Sequence, residues 1–205
     1  MKSSIELLQE IIETSFDLLT KKLANGGIIT KNEASFQLEF GLILKTIGQL
    51  YEFKPNDKFH LELESYIELN STLAKSKSNK ARVDILITYN DVKAAIELKF
   101  FKKANAREPE SRYDIFTDIK NLEQYKKEGI NLCYFMLATD HLHYVNKDDY
   151  SNETKDFDVR DGKYYKKGTK LEYKTSKPHA PITLENDYSF KWELLNDLYF
   201  LKLKI

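Results

Sequence analysis

Arg82-Val83-Asp84-Ile85-Leu86-Ile87-Thr88-Tyr89, Asn90-Asp91-Val92-Lys93 and Ala94-Ala95-Ile96-Glu97-Leu98-Lys99-Phe100-Phe101 form the continuous stretch whose reading decides the fold. Two short apolar runs, Val83 to Tyr89 and Ala94 to Phe101, flank a four-residue connection, which is the pattern of a strand hairpin. With the turn centred on Asp91-Val92, Ile87 faces Ile96, Ile85 faces Leu98 and Val83 faces Phe100, all on one apolar face. On the opposite face Leu86 is set against Glu97, and Asp84 against Lys99. Residues two apart on a strand share a face. Asp84, Glu97 and Lys99 therefore converge, with the two carboxylates on a diagonal of roughly 5–8 Å. A slip of one residue would turn these charges into the apolar layer.

Upstream, Ser3-Ser4-Ile5-Glu6 has the form of a capping box. Ile5, Leu8, Ile12, Leu19 and Leu23 follow at helical spacing until Asn25-Gly26-Gly27. A second helix is expected to open at Thr30, with Glu33 as its capping partner. Its inner face carries Phe36, Phe40, Ile43, Ile47 and Leu50. From Phe59 to Leu69 the period changes to alternation, the mark of a strand with one wet face. Residues 70–80 read as a polar loop.

Downstream, Lys102 to Arg112 reads as a charged loop, and a helix is expected from about Tyr113 to Glu128, stopped by Gly129. Residues 130–139 form a continuously apolar run, suited to a strand buried on both faces. Asp161-Gly162 suggests a hairpin within residues 156–175. Leu198 to Ile205 alternates like a closing strand, and Phe190 and Trp192 are expected to cover part of the core. With no repeat and no break in composition, residues 1–205 read as one α/β domain. Residues 145–205 form a strand-rich extension on the core.

The chain has 205 residues, with 32 basic and 32 acidic side chains, so its formal net charge is zero. Non-specific coating of nucleic acid by overall charge is thereby disfavoured, and any such contact must come from a local patch. One cysteine, Cys133, excludes an intramolecular disulfide or a cysteine-based zinc site. No run approaches the roughly 18 apolar residues of a membrane span, and the amino terminus lacks a signal-peptide apolar block. The expectation is a cytoplasmic protein with no membrane partner.

An acidic residue two before a lysine is common in so charged a chain, as at Glu52-Phe53-Lys54 and Asp118-Ile119-Lys120. Glu97-Leu98-Lys99 is distinguished by lying inside an apolar strand, where ionised groups are costly without a partner or a metal. Arg82-Val83-Asp84 followed by Glu97-Leu98-Lys99 resembles the signature of the PD-(D/E)xK superfamily of restriction-endonuclease-like nucleases, with Val83 where the name has proline. The order helix, three strands, helix, strand over residues 32–139 is similar to that superfamily's core. The resemblance does not extend to residues 145–205.

The resemblance implies that Asp84 and Glu97, with the backbone carbonyl of Leu98, would ligate Mg²⁺ or Mn²⁺, for which hard oxygen donors are suited. Lys99 would position the attacking water and stabilise the transition state of phosphodiester hydrolysis. Members of the superfamily often carry a further glutamate on the preceding helix. Glu39, one turn from both Phe36 and Ile43, is preferred over Glu33. Asp118 and Gln124-Tyr125, on the following helix, are further candidates.

Lys75, Lys77, Lys80 and Arg82 on one side of the motif, and Lys102, Lys103, Arg107 and Arg112 on the other, would emerge at one end of the hairpin. They would form a phosphate-binding surface for nucleic acid, DNA before RNA. A homodimer is compatible with this reading. Asp140-His141-Leu142-His143 lacks a convincing further ligand for zinc. The alternative to a nuclease is a non-catalytic nucleic-acid-binding or protein-interaction module that keeps the fold.

Overall fold

The computed structural model of the chain describes residues 2–69, 80–105, 108–147, 150–174 and 179–205. Helix α1 (Ser4–Ala24) opens with Ser3 and Glu6 in a reciprocal capping box, which satisfies two otherwise orphaned backbone donors. Its inner face is Leu8, Ile11, Ile12, Phe16, Leu19 and Leu23. Helix α2 (Glu33–Leu50) begins two residues later than a Thr30 cap would require. Asn32 is the cap, exchanging hydrogen bonds with Ser35. Glu33 is thus released from the capping role expected of it, and its side chain is directed elsewhere.

Strands β1 (Phe59–Glu68), β2 (Lys80–Tyr89), β3 (Val92–Phe101) and β4 (Leu132–Thr139) are joined through helix α3 (Glu108–Lys127). Short strands follow: β5 (Tyr164–Tyr165), β6 (Lys170–Leu171), β7 (Ile182–Thr183), β8 (Tyr188–Ser189), β9 (Trp192–Leu195) and β10 (Leu198–Lys204). The central sheet is six-stranded and mixed, in the order β1-β2-β3-β4-β10-β9. Only β3 and β4 run parallel, and α3 supplies the crossover that a parallel pair needs. The chain is α/β, as expected. Among the described residues no helix is long and apolar enough to cross a membrane.

The two faces of the sheet are covered differently. α1 and α2 pack with Ile85, Ile87, Ile96, Leu98, Tyr134 and Met136 on one side. α3 and, from the carboxy-terminal part, Phe157, Tyr165, Leu171, Leu184, Tyr188 and Phe190 pack with Ala95, Cys133, Phe135 and Leu137 on the other. α2 lies close on β1, since a Cβ at Gly48 would collide with the Phe59 ring.

Three expectations are corrected. The β2–β3 turn is centred on Asn90-Asp91, with Asn90 at φ +56°, and Tyr89 pairs with Val92 and Ile85 with Ile96. Each residue of β2 thus faces a partner two positions earlier than the Asp91-Val92 turn implies. α3 starts at Glu108 rather than Tyr113. The hairpin expected within residues 156–175 is not found among the described residues: β5 pairs with β8 and β6 with β7. The extension therefore closes on its own later half.

The sheet also forks. β2 and β3 are paired from Tyr89↔Val92 to Ile85↔Ile96. Beyond that point β2 continues with β1 as far as Lys80↔Glu68, and β3 continues with β4 as far as Phe101↔Thr139. Glu64, opposite the fork on β1, has φ +54°. Past it Ile67, Ala81 and Val83 pack on the α3 side, whereas Ile85 and Ile87 pack on the α1/α2 side, so Val83 does not share the one apolar face expected of it with Ile85, Ile87 and Phe100.

Candidate active site

Asp84 stands where the fork opens. Its Oδ2 accepts the backbone N–H of Leu98 at 2.6 Å, and its own carbonyl accepts the Gln37 side-chain amide at 2.6 Å. Glu97 lies one residue before Leu98 on β3 and is only 5% exposed. Its carboxyl is close enough to that of Asp84 to share a hydrogen bond, and its Oε1 accepts the Tyr125 hydroxyl at 3.4 Å. Lys99 Nζ lies 3.0 Å from the Leu98 carbonyl oxygen, 3.1 Å from Asp118 Oδ2 and 3.7 Å from Glu33 Oε1. Lys99 thus contacts carboxylates from α2 and α3, with the charges of Asp84 on β2 and Glu97 on β3 also acting on it.

The electrostatics follow from burial and crowding. Burial, then the charges of Asp118 and Asp84, push the Glu97 carboxyl well above the ordinary carboxylate range. Burial raises Asp118 to about 6 against the pull of Lys99. Burial also raises Glu33, with Lys99 opposing and Asp84 adding to it. For Lys99, burial works downward, but Asp118, Glu33, Asp84 and Glu97 outweigh it, and the ammonium is held above its usual value. Lys99 therefore remains charged through neutral pH. Like charges in a confined site oppose one another's ionisation, and Glu97, buried among them, is the carboxyl most strongly held toward its protonated form.

Asp84, Glu97 and Lys99 are brought together, and with them Asp118, which the sequence marks only as near the buried face of its helix. Parity along β2 does not account for this, since Val83 and Ile85, two residues apart, pack on opposite sides; Asp84 is brought in by taking the Leu98 N–H where the strands part. Glu33, not Glu39, is the α2 carboxylate at Lys99. Glu39 lies two positions past Gln37, about 200° round the helix at 3.6 residues per turn, so it faces away from the side that Gln37 turns to Asp84. Gln37 carries no sequence signal beyond being a polar residue between Phe36 and Phe40 at i+4 from Glu33. Tyr125 is signalled only by its place on the inner side of α3.

The basic residues divide. Arg112 is 1% exposed and pairs with Glu108 at 2.8 Å. It donates to the carbonyls of Thr154 and Phe157, and stacks 3.6 Å over Tyr150. It fastens the extension to α3 and is not a surface phosphate contact. Arg82 pairs with Glu64 at 3.0 Å and Lys80 with Glu68 at 3.6 Å, both on the forked edge. Lys102 lies over Phe100, and Lys103 is exposed at the start of a short 3₁₀ turn. Lys75, Lys77 and Arg107 lie outside the described residues.

Among the described residues, no three His, Cys, Asp or Glu side chains stand in metal-holding geometry as they are. A cavity of about 680 Å³ lies elsewhere, lined by Leu142, Asp158, Arg160, Lys163 and Tyr199 among others. The cluster instead meets solvent through Glu33 and Lys99. Comparison with protein families, with characterised proteins and with solved structures yields no match to this chain.

Proposed function

We propose that the chain is a metal-dependent nuclease hydrolysing phosphodiester bonds, with DNA as substrate, on a restriction-endonuclease-like core of α2, β1, β2, β3, α3 and β4. The observation that carries this reading is the charge imbalance at Lys99. Asp84, Glu97, Asp118 and Glu33 crowd one ammonium in a largely buried place. Buried charges are costly unless compensated, and the donor set is all hard oxygen, as Mg²⁺ or Mn²⁺ requires.

Asp84, Glu97 and the Leu98 carbonyl would hold the ion. When bound, it would supply acidification of a water and neutralisation of phosphate charge. The chain's own residues do the rest. Lys99, kept protonated by its acidic neighbours, donates hydrogen bonds and positive charge to a phosphoryl oxygen rather than accepting a proton. Asp118 and Glu33 orient that ammonium from two helices. Gln37 holds the backbone of Asp84, and Tyr125 steadies Glu97.

A non-catalytic nucleic-acid-binding or protein-interaction module is the second reading. It is favoured by the lack of a ready-made three-ligand cage among the described residues. Incubation with plasmid and single-stranded DNA in Mg²⁺, Mn²⁺ or EDTA separates the two. Cleavage that requires the ion and is lost in Glu97→Ala and Lys99→Met supports the nuclease. Binding without cleavage under every condition supports the module.

A further inference from the structure

Glu97, Lys99 and Phe101 occupy one face of β3 in succession. Phe101 stacks on Tyr144, with ring centroids 5.0 Å apart and 26° between planes. Lys103 comes four residues after Lys99, at most about 13 Å along the strand direction. There, beyond the carboxyl ends of the parallel strands β3 and β4, a cavity of about 340 Å³ is lined by Lys103, Asp140, His141, His143, Asn146 and Lys147, with Leu142. Ligand sites in α/β sheets favour this end of the strands.

The Asp140–His143 segment is not arranged as a metal site. Asp140 Oδ1 accepts the Lys103 backbone N–H at 2.6 Å. His141 Nδ1 accepts the His143 N–H at 3.4 Å, and His143 Nε2 faces Glu108 at 2.9 Å. The three candidate ligands are committed in three directions. Asp140 instead fixes the backbone at Lys103. With Nδ1 accepting, His141 carries its proton on Nε2, and burial and the neighbouring His143 hold it below its usual range, neutral at pH 7. Its ring also meets Tyr144 edge-on at 5.6 Å. The cavity thus combines the flat, neutral, hydrogen-bonding ring of His141, backed edge-on by Tyr144, with an amide, two lysines and the committed Asp140.

That combination matches a nucleotide, which offers a flat π-face, polar edges and a phosphate. We propose that this cavity is a nucleotide subsite flanking the scissile phosphate, seating a base against His141 and a backbone phosphate on Lys103 and Lys147. The assignment rests on the nuclease reading for its position within the substrate, but its test does not require cleavage.

The test is fluorescence anisotropy of a 5′-labelled single-stranded DNA 12-mer with the full chain in EDTA, over a salt series. Replacing both Lys103 and Lys147 with Ala is expected to weaken binding at least fivefold. It should also reduce the slope of log K against log salt by about 0.7, the value for the one phosphate that the two lysines share on a single strand. His141→Ala is expected to weaken binding about fivefold with the slope unchanged. Lys103→Glu, at an exposed position, gives the same direction should the double variant fold poorly.

Unchanged affinity and slope in folded variants would overturn the subsite, as would no binding by the unaltered chain. If the lysine and histidine effects are found but the chain cleaves nothing in Mn²⁺, the subsite holds and the nuclease reading falls. If the chain cleaves and these variants bind as the unaltered chain does, the subsite falls and the nuclease reading holds.

Discussion

The carboxylate of Asp84 accepts the backbone N–H of Leu98 at 2.6 Å, beyond the last paired residues Ile85 and Ile96 of β2 and β3. A side chain takes a donor that a regular ladder would give to a main-chain carbonyl. This allows the strands to part without leaving a buried N–H orphaned. The acidic residues and Lys99 gather at that opening, so the irregularity of the sheet and the candidate site are one feature.

Glu97→Gln removes the cost of burying an ionisable carboxyl among acidic neighbours while keeping the shape. The metal-free variant should be more stable by about 1 kcal/mol, seen as a thermal midpoint roughly 2–4 °C higher for a chain of this size. Cleavage should fall at least about 100-fold. A gain in stability with loss of activity is the expected signature of a functional carboxylate. A loss of both would mark Glu97 as a structural partner.

The pH dependence of stability has a definite sign. Asp118 titrates at about 6 in the folded chain, above its ordinary carboxylate value, so the folded state binds more protons between these limits. The stability this group contributes is complete below about pH 4 and is lost as pH rises through 6. Its size is at most about 3 kcal/mol, since each tenfold change in proton affinity is worth about 1.4 kcal/mol. Urea unfolding in EDTA at pH 4, 5, 6 and 7 should show the Asp118→Asn variant gaining on the unaltered chain as pH rises. A constant difference would contradict the assignment.

The two glutamates of α2 should separate in activity. Glu33 lies 3.7 Å from Lys99, and Glu33→Gln is expected to slow cleavage about tenfold by loosening that ammonium. Glu39→Gln should leave the rate within about twofold. Steady-state cleavage of a labelled oligonucleotide by both variants checks this. The reverse order would restore Glu39 as the helix ligand.

Gln37 donates to the Asp84 carbonyl and to Glu64 Oε1, at 2.6 and 3.0 Å. Gln37→Leu would leave the Asp84 carbonyl without this donor at a cost of about 1–3 kcal/mol, while the exposed Glu64 keeps Arg82. Because it holds Asp84, the same change should weaken Mn²⁺ binding several-fold by calorimetry. Lower stability with unchanged Mn²⁺ affinity would reduce its role to packing.

Much of the fold was legible because it depends on period. The alternation that marks β1 as a strand and the apolar run 132–139 each admit few arrangements, but the single face expected along β1 and β2 breaks at the fork, where Glu64 takes a positive φ and Val83 and Ile85 pack on opposite sides. What failed depended on tertiary context. The first turn of α3, Glu108 to Arg112, carries enough charge to read as a loop, but Arg112 is buried by carbonyls and Tyr150 from the extension. Glu33 looked committed to Thr30 until Asn32 took the cap. β5 to β8 are two residues each, too short for a period to show.

The most direct test is an anomalous-difference map from a crystal soaked in Mn²⁺. A peak at coordination distance from the Asp84 and Glu97 carboxyls and the Leu98 carbonyl oxygen is the predicted result. A saturating soak that leaves no peak there, or places it only at other carboxylates, would contradict the assignment of this cluster as a metal-dependent hydrolytic centre.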